Sequence, residues 1–267
     1  MICRSDFHMH SRFSDGACSQ EEMVLSAIGK GFETIGFSEH SYAACDLECC
    51  MKKEAYESCR REIAALKEKY AGRMEIYCGI EQEYFSEEPT EGFDYVIGAA
   101  HYIKCGEDYY SVDYLPENIT EAAEKHFGGD TMRVAEEYYR IEADVYRKTR
   151  CDIIAHFDLV TKLNERFGFF DTDSARYKKA WKEAAASILE DCRLFEINTG
   201  AISRGWRTSP YPSLEICRFI AANGGSFILS SDSHSAANIG YAFEKVRSEY
   251  ENAGIKIVEF NPEKRGV

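Results

Sequence analysis

Short apolar runs alternate with helix-length segments along the whole chain, and that alternation points to a fold built on a parallel sheet. The runs predicted as strands are residues 2–7, 34–37, 75–80, 95–100, 152–155, 194–197, 227–229 and 255–259. The helical segments between them are residues 19–30, 52–70, 131–150, 174–192, 212–223 and 236–252. Ser19 with Glu22 three residues on is a capping box that opens the first helix, and Gly31 stops it. In 52–70, Ile63 and Leu66 stand three apart in a Lys/Glu-rich segment, the pattern of a surface helix. Seven or eight such units in 267 residues fit an α/β barrel or a doubly wound sheet. No Gly-x-Gly-x-x-Gly or P-loop pattern is present, so dinucleotide and nucleoside-triphosphate sites lose their main support. With no repeat, low-complexity linker or internal boundary, residues 1–267 are expected to form a single domain.

Composition narrows the function. The 32 basic and 46 acidic residues leave a net charge of −14, unsuited to wrapping a polyanion, so nucleic acid is not an expected partner. No apolar run approaches ~18 residues and no charged-then-apolar leader opens the chain, so neither a membrane span nor a secretory signal is expected. Several of the eleven cysteines lie inside apolar runs, as Cys78 does, and read as small buried hydrophobes of a reducing cytoplasm. Cys45, Cys49 and Cys50 have no second Cys/His pair at zinc-finger spacing. Oligomeric state is not legible.

The seven histidines carry the functional signal. His8 and His10 lie two apart after the first apolar run and so share a face. His40, His101 and His156 each end a predicted strand, Glu81 and Glu83 close the third, and Asp232 and His234 close the seventh; only His126 stands apart. In parallel α/β folds the C-terminal strand ends converge on one face. Residues scattered in sequence would therefore meet in space. Clustered imidazoles without a cation would be costly to bury. Imidazole plus carboxylate without a convincing cysteine suits Zn²⁺, Mn²⁺ or Fe²⁺, and about nine donors exceed one tetrahedral site, implying two or three divalent ions. Such ions would polarise phosphoryl or carbonyl oxygens.

Seven segments carry a family resemblance. They are Phe7-His8-Met9-His10-Ser11 with Phe13-Ser14-Asp15-Gly16, Gly36-Phe37-Ser38-Glu39-His40, Gly79-Ile80-Glu81, Gly98-Ala99-Ala100-His101, Ala155-His156-Phe157-Asp158, Glu196-Ile197-Asn198-Thr199-Gly200 and Ser231-Asp232-Ser233-His234. In order and content the chain resembles the PHP (polymerase and histidinol phosphatase) superfamily, and among its members the stand-alone histidinol-phosphatases. The resemblance implies a distorted (β/α)7 TIM-like barrel with a trinuclear metal centre. It implies one ion at His8, His10, Glu81 and Asp232, a second bridged by Glu81 and held by His101 and His156, and a third at Asp15, His40 and His234. Some relatives carry histidine in place of Asp15. The resemblance further favours an arginine after Asn198-Thr199-Gly200, making Arg204 the first choice for the phosphate.

Phosphate also calls for cations beyond the metals. A guanidinium offers a forked donor pair, so Arg207 joins Arg204 as a candidate, with Lys162 or Arg166 as a further cation. Glu39, Glu83 and Asp158 are candidates to orient ligating imidazoles. The insert at 102–130, with its tyrosines, is a candidate cover for the pocket. The reading is a cytoplasmic phosphomonoesterase hydrolysing L-histidinol phosphate, with Glu81, Asp232 and Arg204 as catalytic residues. The alternative is a PHP phosphoesterase acting on another small phosphate ester or a nucleotide.

Overall fold

The computed structural model describes residues 4–264. The chain runs β1 (Ser5–Asp6), α1 (Gln20–Gly29), β2 (Thr34–His40), α2 (Tyr56–Lys69), β3 (Glu75–Glu83) and β4 (Tyr95–Ala99). An antiparallel hairpin, β5 (Tyr102–Cys105) and β6 (Asp108–Ser111), leads into α3 (Pro116–Phe127), α4 (Met132–Glu142) and α5 (Val145–Thr149). There follow β7 (Ile153–Ile154), α6 (Asn164–Phe167), α7 (Ala175–Leu189), β8 (Leu194–Asn198), α8 (Gly200–Ser203), α9 (Leu214–Ala222), β9 (Ser226–Ser230) and α10 (Phe243–Asn252). The main sheet has seven strands in the order β1-β2-β3-β4-β7-β8-β9, and every pairing in it is parallel. A parallel bridge between Met9 and Ser233 joins the two outer strands' continuations, with the His10 N–H on Ser233 O at 2.9 Å. The sheet is thus a nearly closed seven-stranded barrel, the arrangement the resemblance implied. No helix among the described residues is long and apolar enough to cross a membrane.

Two apolar clusters flank the sheet. The larger lies between strands and surrounding helices and includes Met23, Ile63, Trp181 and Ile220. The smaller includes Phe7, Tyr95, Ile97, Ile153 and Ile228, with Phe260 packed on it. Tyr95 is its keystone. Its hydroxyl donates to Phe7 O at 2.5 Å and to Phe37 O at 3.1 Å. The ring fits because two neighbouring strands carry glycine where it passes. A Cβ at Gly79 would stand 2.2 Å from Tyr95 Cζ, and one at Gly36 would stand 2.3 Å from the hydroxyl. Along β3 and β4, residues two apart share a face, so the sequence Gly79, Glu81, Glu83 climbs from the apolar floor to the polar rim.

The sequence-predicted elements differ from these in instructive places. The first predicted strand, 2–7, is a strand only at Ser5–Asp6, and Ile2 and Cys3 lie outside the described residues. Strands β2 and β3 run on to His40 and Glu83 because their polar ends still pair, His40 with Glu81, and Gln82 and Glu83 with Gly98 and Ala99 of β4. The predicted strand 255–259 reduces to a single bridge between Phe227 and Ile257. The predicted helix 131–150 breaks after Glu142, where the Ser187 hydroxyl donates to the Ala143 carbonyl. The predicted helix 236–252 begins only at Phe243, because Gly240 and Ala242 take positive φ of 65° and 59°. The capping box forms as expected, with Ser19 on the Glu22 N–H and Glu22 on the Ser19 N–H.

The seat of Tyr95 makes a direct prediction. Gly79→Ala should lower stability by about 1–3 kcal/mol through overpacking, and Tyr95→Phe by about 1 kcal/mol through the lost hydroxyl bonds. Urea unfolding of the two variants measures both, and wild-type stability in Gly79→Ala would contradict the seating.

Candidate metal centre

The polar strand ends meet around one carboxylate. Glu81 is fully buried, and its two oxygens face five imidazoles. Oε1 lies 3.0 Å from His156 Nε2, 3.4 Å from His8 Nε2 and 3.5 Å from His101 Nε2. Oε2 lies 2.7 Å from His40 Nδ1 and 3.6 Å from His10 Nε2. Asp232 closes the far side, its Oδ1 3.4 Å from His10 Nε2, 3.5 Å from His234 Nδ1 and 3.8 Å from His8 Nε2. Asp15, at the mouth, is 3.1 Å from His234 Nε2 and 3.7 Å from His40 Nε2. The rings themselves are in contact, with His10 and His40 stacked at 4.2 Å between centroids.

Burial and charge pull these groups in opposite directions. Burial would lower His8, but Glu196, Glu81 and Asp232 outweigh it and hold the imidazole well above its usual range. His40 and His101 are likewise raised against burial, chiefly by Glu81, to about 10 and about 9. His10 goes the other way, down to about 3, because burial is joined by repulsion from His40 and His234. Glu81 and Asp232 are held well below the carboxylate range despite burial, by the imidazoles and, for Asp232, first by Arg204. The cluster is therefore a set of carboxylates that demand positive charge.

The residues fit divalent cations on a structural ground. His8 Nε2 and both ring nitrogens of His10 are buried and make no hydrogen bond among the described residues. Buried polar atoms are ordinarily paired. Ligand atoms of three groups converge to within 4.8 Å of one another: His10, Asp15, His40 and His234; His8, His10 and Asp232; and His40, Glu81 and His101. Imidazole and carboxylate donors of this kind suit zinc, manganese or iron.

All nine residues named as ligands from the sequence lie in this one cluster. The candidate cations divide. Arg204 and Lys162 line the cleft of about 490 Å³ that opens over the cluster. Arg204 donates to Asp232 Oδ2 at 3.0 Å and to the Asp232 carbonyl at 2.9 Å, while Lys162 pairs with Asp113 at 2.8 Å. Arg207 is not among the cleft-lining residues. It is buried beside Asp158 at 3.4 Å, with its guanidinium over the Tyr211 ring. Of the three acids proposed to orient imidazoles, only Glu83 does so, at 2.9 Å from His101 Nδ1. Glu39 instead accepts from Ser11 and Ser14, and Asp158 from Arg207 and the Ser213 N–H. Both correct the sequence expectation, since each ties a loop and not a ring.

Two acids escaped the sequence reading. Glu196 lies 2.8 Å from His8 Nδ1, and Asp113 holds Lys162. The signal for Glu196 was an acid inside an otherwise apolar strand, a placement that burial makes expensive without partners. Asp113 gave none, because its partner is 49 residues away. Asp113 and Tyr114 follow the hairpin, and both line the cleft with Tyr102 and Ser111, so the 102–130 insert does contribute a wall.

Known proteins resemble this chain along nearly its whole length. A "Probable histidinol-phosphatase" of Deinococcus radiodurans is 28% identical over 97% of both chains. The histidinol-phosphatase of Bacillus subtilis is 23% identical over 90% of this chain and 97% of its own. The crystal structure of histidinol phosphate phosphatase from Lactococcus lactis, complexed with zinc, L-histidinol and phosphate, superposes with a TM-score of 0.70 at 20% identity, covering 98% of each chain. The PHP domain profile matches residues 6–200, the stretch that brings eight of the strands and most of the clustered imidazoles. That match covers well over half of the chain, and the chain belongs to the PHP domain family.

Proposed function

We propose that this protein is a metal-dependent phosphomonoesterase that hydrolyses L-histidinol phosphate to L-histidinol and phosphate, a step of histidine biosynthesis. The observation that carries the reading is the set of buried imidazole nitrogens without a hydrogen-bond partner, gathered with buried carboxylates below an open cleft. Its relatives bear histidinol-phosphatase names along nearly their full length.

The chain's own residues divide the work. His8, His10, Asp15, His40, Glu81, His101, His156, Asp232 and His234 would hold two or three divalent ions, of zinc, manganese or iron type. Glu81 and Asp232 each sit between imidazoles that arrive from different strands. When bound, the ions polarise phosphoryl oxygens and activate water near neutral pH. Arg204 presents its guanidinium beside Asp232 in the cleft wall, placed to stabilise charge on the phosphoryl oxygens. Lys162 adds a second cation from the opposite side of the sequence motif, on the turn that follows His156. Arg207, paired with Asp158 away from the cleft, serves to fasten that loop. A cleft rim carrying Asp46 and Glu48 favours a substrate with a cationic end, as histidinol phosphate has.

Phosphate release from histidinol phosphate by metal-loaded protein, set against nucleoside monophosphates and sugar phosphates, tests the substrate. Comparable turnover of the other esters would replace histidinol phosphate with a broader phosphoesterase reading, and cleavage of single-stranded DNA would replace it with a nuclease. Chelation should abolish the activity and added Mn²⁺ or Zn²⁺ restore it; full activity through chelation would remove the metal reading. Glu81→Ala should cost at least about 100-fold in rate together with bound metal. The two arginines separate cleanly. Arg204→Ala should lower kcat by about 10²–10³ with the fold retained. Arg207→Ala should lower stability by about 3–5 kcal/mol, because it strands the buried Asp158 carboxylate. Thermal unfolding beside steady-state kinetics reads the contrast, and a purely kinetic loss in Arg207→Ala would return that residue to the cleft.

A further inference from the structure

Glu196 has no exposed surface and touches neither the cleft nor the solvent, yet three donors converge on it. Its Oε2 is 2.8 Å from His8 Nδ1. Its Oε1 accepts the His156 backbone N–H at 2.8 Å and the Asn198 side-chain amide at 2.7 Å. Asn198 in turn accepts the Gly200 N–H through its own oxygen at 2.8 Å, which ties the network to the turn that ends at Arg204. A carboxylate can only accept, so the bond to His8 requires the proton to sit on Nδ1. In the neutral ring that a metal requires, the lone pair is then left on Nε2. That nitrogen is buried, makes no hydrogen bond, and lies 3.4 Å from Glu81 and 3.8 Å from Asp232.

We propose that Glu196 is a positioning residue that sets the His8 tautomer and holds His8 and His156 together around Glu81, so that both rings present Nε2 to the same ion-holding space. The inference rests on the reading of the cleft as metal-holding. A buried carboxylate whose only role were packing would be better replaced by an apolar side chain of its size. Here its geometry instead does what a metal-ligating imidazole requires of its partner: it orients the ring and fixes which nitrogen is free. One residue does this for a side chain from β1's continuation and for the backbone that follows β7, two strands that are not neighbours in the sheet. The His156 ring then reaches Glu81 at 3.0 Å.

Glu196→Gln isolates the effect. Glutamine keeps the shape, and its oxygen can still accept from His156 and Asn198. Its amide then faces His8 Nδ1 as a donor, which forces the His8 proton onto Nε2 and removes that nitrogen as a ligand. Wild type and Glu196→Gln are loaded with Zn²⁺, dialysed, and measured for retained metal and for Zn²⁺ affinity. The variant should bind about 10–100-fold more weakly. In parallel, ¹⁵N-histidine NMR of the Zn²⁺-loaded wild type should show the His8 proton on Nδ1, assigned by the signal lost in His8→Gln; in Glu196→Gln it should move to Nε2. A merely structural role would change neither the tautomer nor the affinity of the folded protein. Wild-type affinity in Glu196→Gln, or an Nε2-bound proton on His8 in the wild type, overturns the role of Glu196. The second result holds even where the variant fails to fold. Failure of the wild type to retain any Zn²⁺ is distinguishable from both, since it overturns the metal reading itself and this inference with it.

Discussion

One carboxylate facing five imidazoles sets the terms for the rest of the molecule. Glu81 has no solvent to offset its charge, so every nitrogen around it must be held where positive charge can be supplied. Here the groups sit at strand ends or in the residues just beyond them, and the parallel register that sets His40 opposite Glu81 is fixed by seven consecutive pairings. The barrel's closure does the same for the outer strands, since the Met9–Ser233 bridge brings His8 and His10 beside Asp232. Asp6, below them, accepts the Ser231 N–H at 3.1 Å and the Gly240 N–H at 3.2 Å, which fastens both ends of the segment that carries Asp232 and His234. Asp232 itself sits at a φ of 47°, a costly conformation for an aspartate that these bonds and the Arg204 contact to its carbonyl maintain.

The floor of the barrel explains why such a polar cluster is tolerated. Tyr95, Phe7, Ile97 and Phe260 fill the end opposite the cleft, and the glycines at 36 and 79 admit the tyrosine ring where larger residues would push it upward. Each strand thus changes character along its length, apolar below and ligand-bearing above. The division separates the part of the core that stabilises by burial from the part that is costly to bury.

That division also accounts for what could be read in the sequence. Apolar runs were visible because the floor and the helix-facing layer are apolar, so the order of strands and helices was legible. Strand ends were underestimated wherever they turned polar, as at Ser38-Glu39-His40 and Glu81-Gln82-Glu83, because those residues look like loop while remaining paired. Helix breaks at Ala143 and Gly240–Ala242 depend on contacts from distant segments or on left-handed backbone, and periodicity does not register either. The ligand-type residues were legible because their position recurred, one strand end after another. Their partners were not. Glu196, Asp113 and Asp6 act through bonds to residues 188, 49 and 225 positions away, and although Glu196 stands out as an acid inside an apolar strand, nothing local names the partner of any of the three.

The same limit separates Arg204 from Arg207. The two stand three residues apart in one loop and offer the same fork of donors, so composition and spacing rank them equally. What divides them is the company each keeps. Arg204 shares its acid, Asp232, with His10 and His234, so any positive charge entering the cluster loosens its hold and leaves the guanidinium free to face an anion. Arg207 has an acid of its own in Asp158, itself bonded to Ser213, and an aromatic face beneath it in Tyr211. A phosphate dianion entering the cleft without cations would meet Asp15 and Asp232 in its wall. In the proposed reading, cations held by the cluster would favour anion binding, and Arg204 touches the carboxylate through which the two would be coupled.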